Sequence, residues 1–234
     1  MQIFYAPGIT ERICVLDKND SRHCIRVLRM SKGDVVKLID GQGNLYEGTI
    51  IDPDPVKCRI DITGVLSSFE KRDYRLHIAI SPLKNPERFE WFIEKSVEIG
   101  VDEITPVICI NTEKPGIKTD RINNLIISAM KQSVKAYRPL LNNPLSFADF
   151  IKLDLKGIRM IAHCKQKGER FKIEEVYKKG HDAVILVGPE GDFSEEEIAL
   201  AKKNDFKPVH LGRSRLRTET AGVAACHSVY FLNQ

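Results

Sequence analysis

The sequence predicts a small β-rich domain over residues 1–70 followed by an α/β domain over residues 73–234. Short β-type runs dominate the first part, whereas apolar strands alternate with amphipathic helices from Asp73 onward, as in mostly parallel sheets. The composition changes at Ser67–Arg72, which marks the boundary. With 234 residues, the chain is long enough to bury a core in each domain.

The N-terminal domain contains four predicted strands and one helix. The predicted strands are Ile3–Tyr5, Asp34–Asp40, Asn44–Ile51 and Val56–Val65. Gly41-Gln42-Gly43 lies between the second and third of them and predicts a hairpin turn. The helix begins at Asn19 or Asp20, either of which can cap it, and runs to about Arg29.

The α/β domain contains five predicted strands, each followed by at least one helix. The strands are Tyr74–Ser81, Glu103–Ile110, Gly157–His163, Asp182–Val187 and Lys207–Leu211. The helices begin at Asn85-Pro86, at about Thr119, at Ser146 (to Ile151), at Ile173 (to Lys179), at Ser194 and at about Thr218. Pro86 suits a first helical position, and Ser194 with Glu197 forms a capping-box pattern. The helix from Thr119 has apolar residues at helical spacing as far as Tyr137.

Composition narrows the classes of protein. Charged residues make up 29% and apolar residues 42% of the chain, as in ordinary globular proteins. We expect a cytoplasmic protein, because no apolar run suits a membrane span and the N-terminus lacks a secretory pattern. The six cysteines and six histidines are scattered, so we expect reduced thiols and no metal site. The net charge of +4 is small, so polyanion binding would depend on local clusters.

Two loops follow the last two predicted strands. The first loop is Gly188–Gly191 (GPEG), and the second loop is Leu211–Arg217 (LGRSRLR), which leads into Thr218-Glu219-Thr220. Ligands of open α/β sheets bind at the carboxyl ends of strands, and glycine lets the backbone approach a ligand closely. Two glycine-containing turns without a ligand fit the spacing equally well. Neither loop matches a P-loop or a dinucleotide fingerprint, which disfavours a nicotinamide-dependent oxidoreductase.

Four ordered motifs resemble those of the small-subunit rRNA uridine-N3 methyltransferase family (RsmE) of the SPOUT superfamily, over nearly the whole chain. The motifs are HCIRVLR (23–29), EKSVEIGV with ITP (94–106), QS (132–133), and GPEG with FSEEE and LRTET (188–220). The resemblance implies a trefoil-knotted α/β methyltransferase domain, an N-terminal PUA-like β-barrel, S-adenosylmethionine as cofactor, and a homodimer. It also implies 16S rRNA or the small ribosomal subunit as partner. The sequence departs from the family pattern at Lys131, Asp192, Arg213 and Arg215.

The resemblance, together with the positions of the two loops and the strand ends, suggests roles for individual residues. Residues expected to contact the cofactor are His163, Val187, Gly188, Pro189, Glu190, Gly191, Leu211, Gly212, Leu216, Arg217 and Thr218. For His163, a packing role in the core remains an alternative. Arg217 is the expected cationic donor to the uracil oxygens and Glu219 a candidate general base, while Glu190 is a second candidate. Glu219 could also simply favour the helix N-terminus.

Basic residues on two predicted helices form candidate RNA contacts. They are Arg22, His23, Arg26 and Arg29 on the first helix, and Lys131, Lys135 and Arg138 on the helix from Thr119. A solvated helix face explains either stripe alone. Two other functions remain open: 2′-O-ribose methylation of RNA, and a non-catalytic RNA-binding assembly factor in which Asp192 crowds the cofactor pocket.

Overall fold

A computed structural model describes residues 3–165 and 168–234, which form two compact units. The first unit contains the residues up to Lys71 together with Ile127–Arg138, and the second contains Arg72–Ile126 and Pro139–Gln234. The structure places residues 127–138 in the first unit, whereas the predicted division places them in the second domain. Their backbone explains the difference, because Tyr137 forms β-bridges with Gly41 and Gln42.

The first unit is built on one five-stranded sheet. Its strands are β1 (Ile3–Tyr5), β2 (Ile13–Val15), β3 (Val35–Ile39), β4 (Leu45–Asp52) and β5 (Arg59–Leu66). Their order is β1-β3-β4-β5-β2, with β1–β3 parallel and the other pairs antiparallel. The predicted hairpin between β3 and β4 is confirmed. Within the described residues β1 and β2 are both edges, so the predicted PUA-like barrel is a curled half-barrel sheet here.

The helical segment of the first unit begins earlier than predicted. Helix α1 (Lys18–Arg22) is capped by Asp17, whose carboxylate accepts the N–H of Asp20 at 2.8 Å. A π-helical segment, His23–Val27, continues it. The prediction of one α-helix to Arg29 is therefore wrong, because the helix changes its pitch and Arg29 has a left-handed backbone (φ 57°). The predicted RNA contacts Arg22, His23, Arg26 and Arg29 are nevertheless exposed.

The second unit is an α/β domain with parallel strands. Its strands are β6 (Leu76–Ile80), β7 (Glu103–Ile108), β8 (Leu140–Leu141), β9 (Leu145–Ser146), β10 (Ile158–Ala162), β11 (Phe171–Lys172), β12 (Ala183–Val187) and β13 (Lys207–His210). The sheet order is β11-β13-β10-β12-β6-β7-β8, and β9 also pairs with β7. All five residues of β6 and of β12 are buried, as expected for strands covered on both faces.

Helices follow the strands, as the alternating pattern predicts. They are α2 (Pro86–Ile99), α3 (Thr119–Ser133), α4 (Phe147–Phe150), α5 (Ile173–Val176), α6 (Glu195–Lys203) and α7 (Thr218–Leu232). Asn85 and Ser146 cap α2 and α4, and the Ser194–Glu197 capping box is present in α6. Within the described residues, no helix is both long and apolar enough to cross a membrane.

Helix α3 ends before the predicted point. Val134, directly after Ser133, has a left-handed backbone (φ 58°), which stops the helix. Lys135, Tyr137 and Arg138 therefore lie beyond α3, and the prediction that they continue its faces is wrong.

Helix α7 packs tightly inside the second unit. A Cβ added at Gly222 would lie 2.6 Å from the Phe92 ring of α2 and 2.9 Å from the Ile80 side chain of β6. Real Cβ atoms do not approach other atoms so closely. Gly222 therefore lets α7 approach α2 and β6 of its own domain closely.

Candidate active site

A pocket of about 420 Å³ lies where three strands of the second unit end. The first loop follows β12 and the second loop follows β13. These two strands are not neighbours in the sheet, because β10 lies between them. The carboxyl end of β10 therefore places His163 and Cys164 between the two loops. The volume is in the range of small-molecule sites.

The pocket brings together nearly all the residues predicted to contact a cofactor. Its lining includes His163, Val187, Gly188, Pro189, Glu190, Leu211, Gly212, Leu216, Arg217 and Thr218, and also the predicted catalytic residue Glu219. Gly191 is the exception and lines a neighbouring cleft. The predicted residues thus lie around one cavity, although the motifs are separated in sequence.

The first loop is held by side chains from several parts of the second unit. Asp192, directly after it, accepts the N–H groups of Cys164 (2.9 Å) and Phe193 (2.8 Å) on its two carboxylate oxygens. The Asn111 amide donates to the carbonyls of Gly191 and Asp192. Asp192 has φ 63°, a conformation that glycine adopts freely and Asp tolerates. Its carboxylate is thus engaged in holding the backbone.

The second loop is much less constrained. Gly212 has φ 105°, and a Cβ there would meet open space. The side chains of Arg213, Arg215 and Arg217 are exposed and have no hydrogen bond or ion pair within the described residues. The Gly212 N–H donates to His210 Nδ1 at a long 3.3 Å. Three unpaired guanidinium groups therefore stand beside the pocket.

His163 is a buried imidazole in the wall of the pocket. It is 5% exposed, and neither ring nitrogen has a hydrogen-bond partner among the described residues. Burial, together with the positive charges of Arg170, Lys202 and Lys165, lowers its pKa to about 4, against the opposing effect of Asp192. The ring is therefore neutral at pH 7 and leaves one donor and one acceptor for a ligand.

Glu219 is a buried carboxylate beside an arginine. It is 7% exposed, its Oε2 lacks a hydrogen-bond partner in the described part of the chain, and its Oε1 lies 3.8 Å from Arg88 Nε. Glu190, the other candidate base, is exposed, and its Oε1 accepts the Lys84 N–H at 3.1 Å. An unpartnered buried oxygen favours Glu219 over Glu190 as the group that meets a ligand.

Sequence reasoning missed several residues of the lining. They are Arg88, Ala162, Cys164, Arg170, His210 and Ala221, whereas Asp192, Ser214 and Arg215 lie in or directly after the predicted loops. Arg88 lies in the first turn of α2, which follows β6, the neighbour of β12 in the sheet. The sheet order was the signal that could have found it, since helices after neighbouring parallel strands begin at the same edge.

The predicted RNA-contacting residues all lie in the first unit. Arg22, His23, Arg26, Arg29 and Arg138 are exposed. Lys131 pairs with Asp20 at 2.9 Å and Lys135 lies 3.6 Å from Glu70, so both ammonium groups already face a carboxylate.

The described residues contain no cluster of three or more His, Cys, Asp or Glu side chains arranged to hold a metal ion. All six cysteines are free thiols, and five of them are buried. Burial raises the pKa of the Cys14 thiol to about 11, so it is protonated at pH 7.

The parallel sheet with a pocket at its carboxyl edge defines an α/β ligand-binding domain, accompanied by a small β domain. The chain belongs to the RNA methyltransferase domain family, whose sequence model matches residues 70–230. A second model, described as an RNA methyltransferase PUA domain, matches residues 16–63. The predicted family and PUA-like domain are thereby confirmed.

Named relatives agree with this family. The chain is 28% identical to ribosomal RNA small subunit methyltransferase E of Buchnera aphidicola over 92% of this chain and 88% of the relative. A protein of the same name from Aquifex aeolicus is 25% identical over 96% of both chains.

Solved structures share the whole fold. A structure described as a probable rRNA-methyltransferase from Porphyromonas gingivalis has a TM-score of 0.93 and 39% identity, over 100% of this chain and 98% of that one. Ribosomal RNA small subunit methyltransferase E of Neisseria gonorrhoeae, bound to S-adenosyl methionine, has a TM-score of 0.85 and 26% identity over the same shares.

Proposed function

We propose that this protein transfers a methyl group from S-adenosylmethionine to N3 of a uridine in 16S rRNA. The observation that carries the proposal is the pocket between the two loops, in which a buried, unpartnered carboxylate and exposed arginines meet. Membership of the RNA methyltransferase family supports it, as do relatives named small subunit methyltransferase E and one that binds S-adenosyl methionine.

The residues of the pocket fit S-adenosylmethionine. Backbone groups of Gly188, Leu211 and Gly212 line the cavity and can bind an adenine edge, and the two free nitrogens of neutral His163 suit a ribose hydroxyl. The carboxylate of Glu190 also lines the cavity and can attract the positively charged sulfur of the cofactor. When bound, the cofactor supplies an electrophilic methyl group.

The chain must manage one proton of the uracil ring. Uracil N3–H is a weak acid, with a pKa of about 9–10 like that of a phenol, so the nucleophile is protonated at pH 7. Glu219 accepts this proton on Oε2, and Arg88 holds the carboxylate at its other oxygen. Arg217 donates to O2 or O4 of the ring and stabilises the uridinate. Because N3 lies on the Watson–Crick edge, the base must be unpaired or flipped out.

Nucleoside analysis tests the reaction. The protein is incubated with labelled S-adenosylmethionine and small subunits that lack the modification, and the digested RNA is analysed. N3-methyluridine is the expected product. A 2′-O-methyl nucleoside would instead establish ribose methylation.

Calorimetry with S-adenosylmethionine tests the remaining alternative, a non-catalytic assembly factor. Binding with one site per chain is expected, because the Asp192 carboxylate is engaged by two backbone N–H groups. A folded protein that does not bind the cofactor would contradict the enzymatic proposal.

The exposed basic side chains of the first unit provide proposed RNA contacts. Arg22, Arg26 and Arg29 remain exposed on the segment that contains α1 and the π-helical turn. The PUA domain of the family, matched at residues 16–63, includes this segment. Lys131 and Lys135 would have to exchange their carboxylate partners for phosphates, so we expect their contribution to be smaller.

We further propose the trefoil knot, the homodimer and a cytoplasmic location. A knot threaded by the C-terminal segment would bring both loops to one cavity, and a crystal structure in which that segment passes through no loop would contradict it. Apolar side chains at Trp91 (42% exposed) and Phe231 (66% exposed) support a protein contact at α2 and α7. Light scattering is expected to give twice the mass of one chain.

A cytoplasmic location follows from the proposed substrate, because small-subunit RNA is found in the cytoplasm.

A further inference from the structure

A strongly basic cleft opens beside the pocket, in the second unit. It has a volume of about 820 Å³. Its cationic side chains are Lys165, Arg170, Lys172, Arg213 and Arg215, and the imidazole of His210 also lines it. We call it the basic cleft. Asp192 is the one carboxylate in the lining formed by described residues, and its two oxygens accept backbone N–H groups.

Most of these cations are available to a ligand. Arg213 and Arg215 have no ion pair within the described residues. Arg170 uses one N–H group to donate to the His163 carbonyl at 2.7 Å, out of five that a guanidinium has. Lys172 pairs with Glu174 at 3.0 Å, but both side chains are more than half exposed, so solvent screens the pair.

The cleft and the pocket are continuous. Arg170, Asp192, His210 and Arg215 line both of them. A ligand in the cleft therefore lies directly beside the place where the target base is methylated. Like charges at this density repel each other in the free protein, and a polyanion relieves that repulsion.

We propose that the basic cleft binds the phosphates of the RNA strand next to the target uridine. This inference rests on the proposed function. Arginine forks bind phosphate through two parallel hydrogen bonds, which suits Arg213 and Arg215. The two arginines stand where the family pattern differs, so this chain's own sequence makes the cleft more basic. The predicted RNA contacts of the first unit then provide a separate part of the footprint.

Charge-removing variants test the cleft by binding. Lys172→Gln/Arg213→Gln changes two cations that line the cleft but not the pocket. The matched control, Lys156→Gln/Lys178→Gln, removes the same charge from two exposed lysines outside both cavities. Affinity for a fluorescent ten-nucleotide oligouridylate is measured between about 50 and 200 mM salt. Affinity for S-adenosylmethionine is measured by calorimetry.

The cleft variant is expected to lose about tenfold in RNA affinity at low salt, and the slope of log K against log salt to fall by about 1.4 for two phosphate contacts. The control should keep the wild-type slope, and both variants the wild-type cofactor affinity. Equal losses in the two variants, no loss in the cleft variant, or a wild-type protein that does not bind the oligonucleotide would overturn the proposal. So would a loss confined to S-adenosylmethionine, since the cleft would then hold the cofactor.

The binding readout needs no methyl transfer, so the two proposals fail separately. A wild-type protein that binds RNA through the cleft but forms no N3-methyluridine would contradict only the reaction. Formation of N3-methyluridine with unchanged RNA binding by the cleft variant would contradict only the cleft.

Discussion

The two loops of the pocket differ in how firmly they are held. Hydrogen bonds hold the first loop to other parts of the second unit. The carboxylates of Asp192 and Glu190 accept backbone N–H groups, and the Asn111 side chain donates to a backbone carbonyl. Phe193, which follows, is fully buried. The second loop has exposed arginines and one long hydrogen bond at Gly212. One side of the pocket is therefore preorganised, and the other is free to adapt.

This difference suits two ligands of different kinds. A small cofactor of constant shape benefits from fixed backbone groups, since little ordering cost remains to be met on binding. An RNA strand presents phosphates at variable positions, which long exposed arginine side chains can follow. We infer that the first loop and the backbone of the second loop determine cofactor affinity, whereas the exposed arginine side chains of the second loop mainly determine RNA binding and catalysis.

The largest effect, on the rate of methyl transfer, is expected in the second loop. Arg217→Ala removes the proposed donor to the uracil oxygens, so single-turnover methyl transfer should fall by about 100- to 1000-fold. Cofactor affinity should change little, because the backbone of residues 216–218 remains. Turnover at the wild-type rate would refute the role of Arg217, and loss of cofactor binding would show that the loops do not divide their tasks.

The next largest effect is expected at His163, which is buried in the wall of the pocket. Its pKa is about 4 in the folded protein, below the ordinary 6.5. Between these pH values the unfolded chain binds more protons, so the free energy of unfolding should drop by up to about 3 kcal/mol as the pH falls from 6.5 to 4. His163→Leu should flatten this dependence in urea titrations, whereas replacing exposed His181 should not. An unchanged pH profile in His163→Leu would contradict the burial argument.

A smaller effect, on cofactor affinity, is expected when the hydrogen bonds that hold the first loop are removed. Asp192→Ala removes both acceptors for the Cys164 and Phe193 N–H groups and places a strained residue at φ 63°. Calorimetry should show about tenfold weaker S-adenosylmethionine binding, on the order of 1.4 kcal/mol. Asp192→Asn keeps an acceptor and tolerates the backbone, so it should restore most of the affinity. Equal affinity in the wild type and both Asp192 variants would mean that these hydrogen bonds do not contribute to cofactor binding.

The smallest effect, on RNA affinity, is expected for Arg26 in the first unit. Arg26→Ala should weaken RNA binding severalfold and lower the salt slope by about 0.7–0.9 for one phosphate contact. Its cofactor affinity should equal that of the wild type. If RNA affinity is unaltered at moderate salt, the exposed stripe of the first unit does not belong to the footprint.

Local signals made much of the fold predictable. Asn85, Ser146 and Ser194 each cap a helix through contacts within three residues, so the sequence alone identifies them. The ends of the two basic helices were not predictable, because Arg29 and Val134 adopt left-handed backbones without being glycine. Such conformations depend on packing that periodicity does not show.

The site residues that lie in a sequence motif were predictable. The site residues that are brought together only by the order of strands in the sheet were not. The backbone loops and Glu219 follow from the family motifs. The sheet order, with β10 between β12 and β13, brings His163 and the distant Arg88 and Arg170 to the lining of the pocket. The basic cleft was missed for the same reason, since its residues come from separate chain segments.

Hydrogen–deuterium exchange of the backbone amides tests the division between the loops most directly. In the free protein, the amides of Asp192 and Phe193 should be protected and those of residues 213–216 should exchange rapidly. Oligouridylate should slow exchange at 213–216 and leave 192–193 unchanged, whereas S-adenosylmethionine should add protection at 188–191. Equal exchange in both loops of the free protein, or protection by RNA at the first loop alone, would contradict the account.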